Sequence, residues 1–394
     1  MSEPQPSPGD EGAVEWAERL MPLLARSAAA EGSALAGRHV GICLHVEPKT
    51  AVLVRHLLRL GASVTITGNL GTTQPATAQL LREAGAHVVG EHDDDAAQHQ
   101  RNLDELLART PDLVLDNGGE LSERLATGAP RARTFLGATE ETTTGGLRVR
   151  ALEPQPDFPV VVINDSSLKL LVENEFGVGQ SVVQGFMNAT NAMVPAARAA
   201  VVGYGPCGKG VAETLRHLGA RVSVVERDPF RALEALMRGH EVGPLDEVLP
   251  RVQLLFLATG ARGVIGEREL ALLADGTVIA GVGHEGLELD HAALEAATAE
   301  RRSLAAAGQP EDARVLHRLA DGRSVVTLHG TRMVNLTAAG GNPVQAMDLG
   351  LSLQLLSLAH IARGDAGWRG ARPVPEAVDL QLATSLVQLL SATR

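Results

Sequence analysis

Residues 196–229 read AARAAVVGYGPCGKGVAETLRHLGARVSVVERDP, and the fold is decided here. An apolar run, AAVVG, leads into Gly203-Tyr204-Gly205-Pro206-Cys207-Gly208, a G-x-G-x-x-G, and then into the helical pattern GVAETLRHLG. Glycines at these spacings allow a tight turn and let backbone N–H groups approach a pyrophosphate at the helix N-terminus. A second apolar run, RVSVVE, ends in Glu226, about 20 residues further on, where a carboxylate accepts from a ribose diol and repels a 2′-phosphate. The hexamer alone is a weak signal. Strand, glycine turn, helix, strand and acid together predict a dinucleotide-binding βαβ unit that takes NAD rather than NADP, with Arg227 blunting that preference.

Working outward, strand-like and helical runs alternate on both sides of this unit. HVGICLHV (39–46), SVTITG (63–68), HVVGEH (87–92), DLVLDNGG (112–119) and FPVVVIND (158–165) read as strands. KTAVLVRHLLRLGA (49–62) and TAQLLREAGA (77–86) read as helices. After the glycine loop come VQLLFLAT (252–259), GTVIAGVG (276–283) and SVVTLHG (324–330), then MDLGLSLQLLSLAHIARG (347–364), apolar at helical spacing and read as a buried helix. This alternation predicts an α/β protein of two doubly wound, mostly parallel, Rossmann-like sheets, with the NAD domain inserted in the substrate domain. The expected boundaries are a disordered polar tail at 1–12, a substrate-binding domain at 13–177, an NAD-binding domain at 178–341, and a return to the substrate domain with C-terminal helices at 342–394. In the first of these, Trp16, Leu20, Leu23 and Leu24 are spaced for one apolar helical face.

Composition narrows the function. Of 394 residues, 44% are hydrophobic and 21% charged, the balance of a globular protein with material for two cores. The net charge of −12 and a 2% aromatic content disfavour nucleic acid, since phosphates are repelled and few rings are available to stack bases. Two cysteines, Cys43 and Cys207, build neither a disulfide framework nor a four-ligand zinc site, and no metal is expected. No apolar run reaches membrane-spanning length, and the start, MSEPQPSPGDEG, lacks a basic-then-apolar signal pattern. The expectation is a cytoplasmic protein without a membrane partner.

Several polar groups lie at strand ends, where an open α/β sheet binds its ligands. His45 follows an apolar strand and precedes Glu47-Pro48-Lys49-Thr50; it reads either as a structural histidine or as a catalytic one. Glu140-Glu141-Thr142-Thr143-Thr144-Gly145 puts two acids and three hydroxyls in one turn, either a helix N-cap cluster or part of a site. Asn164-Asp165-Ser166-Ser167-Leu168-Lys169 ends a strand, and Glu173-Asn174 follows. In a helix over 167–174, Lys169 and Glu173 stand at i, i+4, as a solvated ion pair or as a lysine tuned for proton transfer. Gly283-His284 ends another strand.

Taken together, these segments resemble the S-adenosyl-L-homocysteine hydrolase (adenosylhomocysteinase) family over nearly the whole chain. The resemblance is carried by LHVEPKTAVLVRHL, TTQ (72–74), LDNGGEL, EETTTG, INDSSLKLLVEN, GVGQS, GYGPCGKG, VERDP, ATG (258–260), GVGH and MVNLTAAGGNPVQAMDL, in the family's order. The E-x-K-T after His45, the GGNPVQAMDL run and an end at Arg394 without the tail that longer members lend to a neighbouring protomer look closest to the short archaeal-like branch. The resemblance implies a redox cycle without net oxidation. NAD takes hydride from the ribose 3′ carbon, the ketone acidifies the 4′ hydrogen, the 5′ substituent leaves, water adds and the 3′ alcohol is restored. It implies as catalytic residues Lys169 at the 3′ hydroxyl, Glu173 where the family has Asp, Glu141 on the sugar hydroxyls, His45 at the 5′ leaving group and His284 beside the sugar. Thr142, Thr143, Thr144, Asn174, Thr259 and Asn335 match positions that contact NAD, beside Gly203, Gly205, Gly208, Lys209 and Glu226. Glu47, Lys49, Thr50, Gln74 and Asn342 are expected to face substrate. A homo-oligomer, dimer or tetramer, is implied.

The sequence departs from the family at the 5′ end and the purine edge. The family's S-T-Q-D, whose Asp partners the histidine, is Thr72-Thr73-Gln74-Pro75; its G-H-P is Gly341-Asn342-Pro343; its G-H-F-D is Gly283-His284-Glu285-Gly286. The chemistry at 3′ and 4′ is retained while water addition loses its acid. The expectation is an NAD-dependent lyase acting on an adenine nucleoside: a nucleoside dehydratase that gives a 4′,5′-unsaturated product of the angustmycin antibiotic type. The alternatives are a genuine S-adenosyl-L-homocysteine hydrolase and, in another class, an NAD-binding regulatory pseudoenzyme.

Overall fold

In the computed structural model, residues 8–283 and 286–392 are described. The chain divides into two compact units, one comprising residues up to Leu170 together with those from Val344 onward, the other Leu171–Pro343. In chain order the strands are β1 (His39–Cys43), β2 (Ser63–Thr67), β3 (His87–Val89), β4 (Leu113–Asp116), β5 (Gly137–Glu140) and β6 (Pro159–Val162), all in the first unit. The second unit holds β7 (Arg198–Val202), β8 (Arg221–Val225), β9 (Glu241–Val242), β10 (Leu254–Leu257), β11 (Thr277–Gly281), β12 (Thr298–Ser303), β13 (Val315–Leu319) and β14 (Ser324–Thr327). The chain then returns to the first unit for β15 (Gly370–Pro373).

The first sheet runs β15-β6-β5-β4-β1-β2-β3, with every neighbour parallel. The second runs β12-β13-β14-β11-β10-β7-β8-β9, parallel from β14 to β9 and antiparallel along the β12–β13–β14 edge. Strand order reverses beside β1 in the first and beside β7 in the second, the positions where doubly wound sheets open a crevice at their carboxyl ends. The central parallel strands are buried along almost their whole length, as expected where helices cover both faces. In β7, Ala199 and Val201 join one buried cluster while Ala200 and Val202 join another on the opposite face.

The two units and the inserted arrangement follow the sequence reading of the fold; the details at the joins differ. A π-helical stretch, Leu170–Gly177, precedes helix Val178–Thr190, and all but its first residue belong to the second unit. It joins there because Glu175 lies against helix Pro206–His217: a Cβ on Gly210 would come within 1.8 Å of the Glu175 carbonyl oxygen. The second unit accordingly spans 171–343, where the sequence boundaries are 178–341. At the N-terminus, residues 1–7 of the expected tail lie outside the described residues, and a helix already begins at Pro8. Glu11 suits the positive end of this helix and accepts from Arg55 at 3.0 Å. That helix stops at Arg19 and another starts at Pro22, so the single apolar face is broken. Trp16 is exposed, and Val14 and Ala17 are buried in its place.

Helix Val344–Ala362 is buried on nearly all sides, as its composition predicts. Its Asp348 accepts from the backbone N–H groups of Leu23 (2.9 Å) and Leu24 (2.7 Å), at the N-terminus of helix Pro22–Glu31. Burial pushes the Asp348 carboxyl up to about 6. Asp348→Ala leaves two buried amide hydrogens without an acceptor and is expected to destabilise the chain by about 1–3 kcal/mol. A lower melting temperature by circular dichroism checks this; an unchanged one shows that the helix is held by packing alone.

Candidate active site

The glycine loop begins where β7 ends. Gly203 has φ +96, and a Cβ there would meet the Ala258 carbonyl at 2.7 Å. A Cβ on Gly208 would lie 2.0 Å from the Gly203 oxygen, so that position is set by helix–strand contact. A Cβ on Gly205 would meet nothing nearer than an Arg231 nitrogen at 3.6 Å. The middle glycine is therefore the one left open to a ligand, and it caps helix Pro206–His217, whose N–H groups suit a pyrophosphate. Glu226 leans over this loop: its carboxylate accepts from the backbone N–H groups of Tyr204 (2.7 Å), Arg227 (2.6 Å) and Asp228 (2.8 Å). Beside it a cavity of about 440 Å³ has apolar walls from Val225, Val242, Pro244 and Leu245. An open glycine, a fixed carboxylate and an apolar slot fit the pyrophosphate, ribose and adenine of NAD.

The carboxyl edge of the first sheet gathers the other candidates. Glu141 continues β5 past its last residue, since its N–H donates to Asp116 O at 2.9 Å. One Glu141 carboxylate oxygen pairs with the Lys169 ammonium and the other accepts from the Gln354 side-chain amide. All three are buried, at 6%, 2% and 0% exposure. Ser166 caps the turn Ser167–Lys169, its hydroxyl accepting the Lys169 N–H at 3.0 Å.

Glu140 points elsewhere. Its carboxylate accepts from Gly118 and Gly119 N–H and from both the N–H and hydroxyl of Thr142. Burial, then the neighbouring Asp116 carboxylate, push the Glu140 acid from its ordinary 4.5 up to about 8. Thr142 also caps helix Thr143–Arg150 by accepting from Gly145 N–H at 2.9 Å. Thus Glu140 and Thr142 build the helix cap, while Glu141 faces the lysine. Half-buried His45 lies just past β1. Next to it, Val46 bridges to Thr73 and accepts from Gln74 N–H at 2.9 Å. Glu47 and Lys49 form an ion pair of 3.0 Å beside buried Thr50, and burial raises the Glu47 acid.

Residues 10–135 match the family profile "S-adenosyl-L-homocysteine hydrolase", and residues 174–341 match "S-adenosyl-L-homocysteine hydrolase, NAD binding domain". The chain belongs to the S-adenosyl-L-homocysteine hydrolase family. It is 37% identical over 388 residues to a protein of Methanopyrus kandleri named S-inosyl-L-homocysteine hydrolase, covering 97% of this chain and 90% of that one. It is 38% identical over 380 residues to the adenosylhomocysteinase of Archaeoglobus fulgidus, covering 94% and 91%. Among solved structures, a dipicolinate synthase chain of Bacillus halodurans shares the fold at TM-score 0.51 and 15% identity, over 83% of this chain and 99% of that one. The chain is thus an enzyme of the hydrolase family with NAD as its cofactor.

The other expected residues have the following surroundings. The Lys209 ammonium is taken up by Glu175 (2.9 Å) and Glu234 (3.3 Å) on the flank of the glycine helix. Lys169 ends the turn Ser167–Lys169, and buried Glu173 lies in the π-helical stretch that follows it. The half-buried Asn342 side chain bonds Glu173, Ser181 and Asn335. Thr143 and Thr144 are exposed, and Thr143 accepts from Asn164 at 2.6 Å. Asn174 is half-buried beside buried Glu173 and Glu175. His284 lies outside the described residues. No cluster of metal-ligating side chains occurs among the described residues, and no helix among them is long and apolar enough to cross a membrane.

Two residues escaped the sequence reading. Gln354 was hidden in an apolar helix; its only signal was an amide where leucines surround it. Glu288 is the other: buried, it accepts from Thr259 N–H (2.7 Å) and hydroxyl (2.5 Å), and so fixes the turn after β10. Replacing Glu226 with Ala removes the charged acceptor at the ribose position and is expected to weaken NAD by about 1–3 kcal/mol. Calorimetric titration of the NAD-stripped protein measures it, and unchanged affinity would show that the ribose is read elsewhere.

Proposed function

We propose that this chain hydrolyses the 5′ thioether of an S-nucleosyl-L-homocysteine. The observation that carries the reading is the Glu141 carboxylate held between the Lys169 ammonium and the Gln354 amide at the carboxyl edge of the first sheet. The names of the two relatives above support thioether hydrolysis, and they differ in the purine, adenine in one and hypoxanthine in the other. NAD, when bound, supplies a reversible two-electron oxidation of the sugar's 3′ carbon, which acidifies the neighbouring 4′ hydrogen. Lys169, buried and paired with a carboxylate, holds or accepts a proton at the sugar oxygen. Glu141, fixed on both oxygens, orients sugar hydroxyls through its remaining lone pairs. His45 is the group at the 5′ end able to protonate a leaving thiolate and deprotonate an incoming water.

A second reading is favoured by Pro75. It takes the first position of helix Pro75–Glu83, where a proline costs nothing structurally, yet it leaves no carboxylate where the family's Asp partners the histidine. Without that acceptor, elimination without water addition becomes the net reaction. The enzyme is then a lyase giving a 4′,5′-unsaturated nucleoside, as in nucleoside antibiotics of the angustmycin type.

The two readings separate in ¹⁸O-labelled water with S-adenosyl-L-homocysteine, S-inosyl-L-homocysteine, adenosine and inosine. Release of homocysteine with one ¹⁸O at the nucleoside 5′ carbon is the expected result. A dehydrated, unlabelled nucleoside establishes the lyase instead, and no change in any of the four sinks both. In the same assay Lys169→Ala should lower kcat by about 10²–10⁴-fold, the usual contribution of a placed acid–base group, while NAD content by denaturation and release stays that of the wild type.

A further inference from the structure

We infer that Asn342 is a positioning residue for Glu173, and that these two departures from the family pattern are one coupled change. Glu173 stands where the family has Asp and Asn342 where it has His, 169 residues apart in sequence. In the second unit their side chains meet: the Asn342 amide nitrogen donates to Glu173 Oε1 at 3.3 Å. The Asn342 amide oxygen accepts from the Ser181 hydroxyl at 3.1 Å and from the Asn335 side-chain nitrogen at 3.3 Å. Asn335 also donates to the Ser181 oxygen at 3.3 Å. Glu173, Ser181 and Asn335 are 5%, 0% and 6% exposed, so this is a network in which water competes little.

The chemistry of the two side chains explains why they change together. An amide donates from nitrogen and accepts twice at oxygen, through two lone pairs. A neutral imidazole has one donor and one acceptor nitrogen, and that nitrogen has a single lone pair. Histidine at 342 is therefore unable to donate to Glu173 while accepting from both Ser181 and Asn335. Aspartate at 173 is one methylene shorter and draws the carboxylate back by about 1.5 Å, the length of a carbon–carbon bond. A contact of 3.3 Å does not survive that retreat. Each family residue alone breaks the network. With one amide hydrogen and both oxygen lone pairs engaged, Asn342 aims the carboxylate and ties it to Asn335, which the sequence resemblance implies as an NAD contact.

The inference rests on Glu173 acting at the sugar, and the test separates it from that reading. Glu173→Asp, Asn342→His and the double variant are compared with the wild type in thermal unfolding of the NAD-loaded protein. They are also compared in kcat and KM with S-adenosyl-L-homocysteine and S-inosyl-L-homocysteine. Each single variant should lose about tenfold or more in kcat, with KM changed less than about threefold. The double variant should recover about tenfold (~1.4 kcal/mol) relative to the sum of the singles, and its melting temperature should exceed the additive value. Additive melting temperatures overturn the coupling. Single variants with wild-type kcat overturn the positioning role. If the wild type turns over neither thioether, the proposed function fails, and the melting temperatures still decide whether the pair is coupled.

Discussion

Glu141 is paired with a lysine in a place with almost no water, and the carboxyl edge of the first sheet is arranged around keeping it there. An ion pair under such burial gains little unless the remaining polar atoms are also satisfied. Here the partners come from three distant segments: the residue just past β5 supplies the carboxylate, the turn after β6 supplies Lys169, and helix Val344–Ala362 supplies Gln354. The β4–β5 ladder fixes the first through the Glu141 N–H bond to Asp116, and the Ser166 cap fixes the second. Removing any one partner leaves a buried polar group facing apolar surroundings, which is why these residues act as a set.

Neighbouring acids in this edge do different work because strand geometry alternates their direction. Glu140 turns inward and gathers the N–H groups of Gly118, Gly119 and Thr142, joining the turn after β4 to the turn after β5. Glu141, one residue on, meets the lysine. Burial beside Asp116 raises the Glu140 acid, and its bonds to Gly118, Gly119 and Thr142 make it a brace between the two turns. The second sheet repeats the device: Glu226 gathers N–H groups around the glycine loop and Glu288 gathers those of the turn after β10. In each case a carboxylate organises backbone donors at the carboxyl end of a parallel strand, where the chain must turn and its amides lack strand partners.

The departures from the family look different once packing is known. Pro75 reads in sequence as a lost acid; in the structure it is also a helix start that needs no N–H. Asn342 reads as a lost purine contact, yet its side chain lies in a network with Glu173, Ser181 and Asn335. Lys209, beside the glycine loop in sequence, spends its charge on Glu175 and Glu234. Each reading by position was reasonable, and each omitted what the side chain reaches.

The amino-acid sequence by itself determined the two doubly wound sheets, the glycine loop with its acid at Glu226, and the choice of Lys169 and Glu141 as residues to watch. These follow from local rules: apolar periodicity sets strand and helix, glycine permits φ +96 at Gly203, and a carboxylate belongs at the end of the second strand. Tertiary structure alone decided that Gln354 holds Glu141 from 213 residues away, that Asn342 donates to Glu173 across 169 residues, and that a π-helical stretch follows Lys169. Backbone conformation is fixed by neighbours along the chain, so it can be read from a window of sequence. The partner of a buried side chain is fixed by which segments pack side by side, and no window contains both.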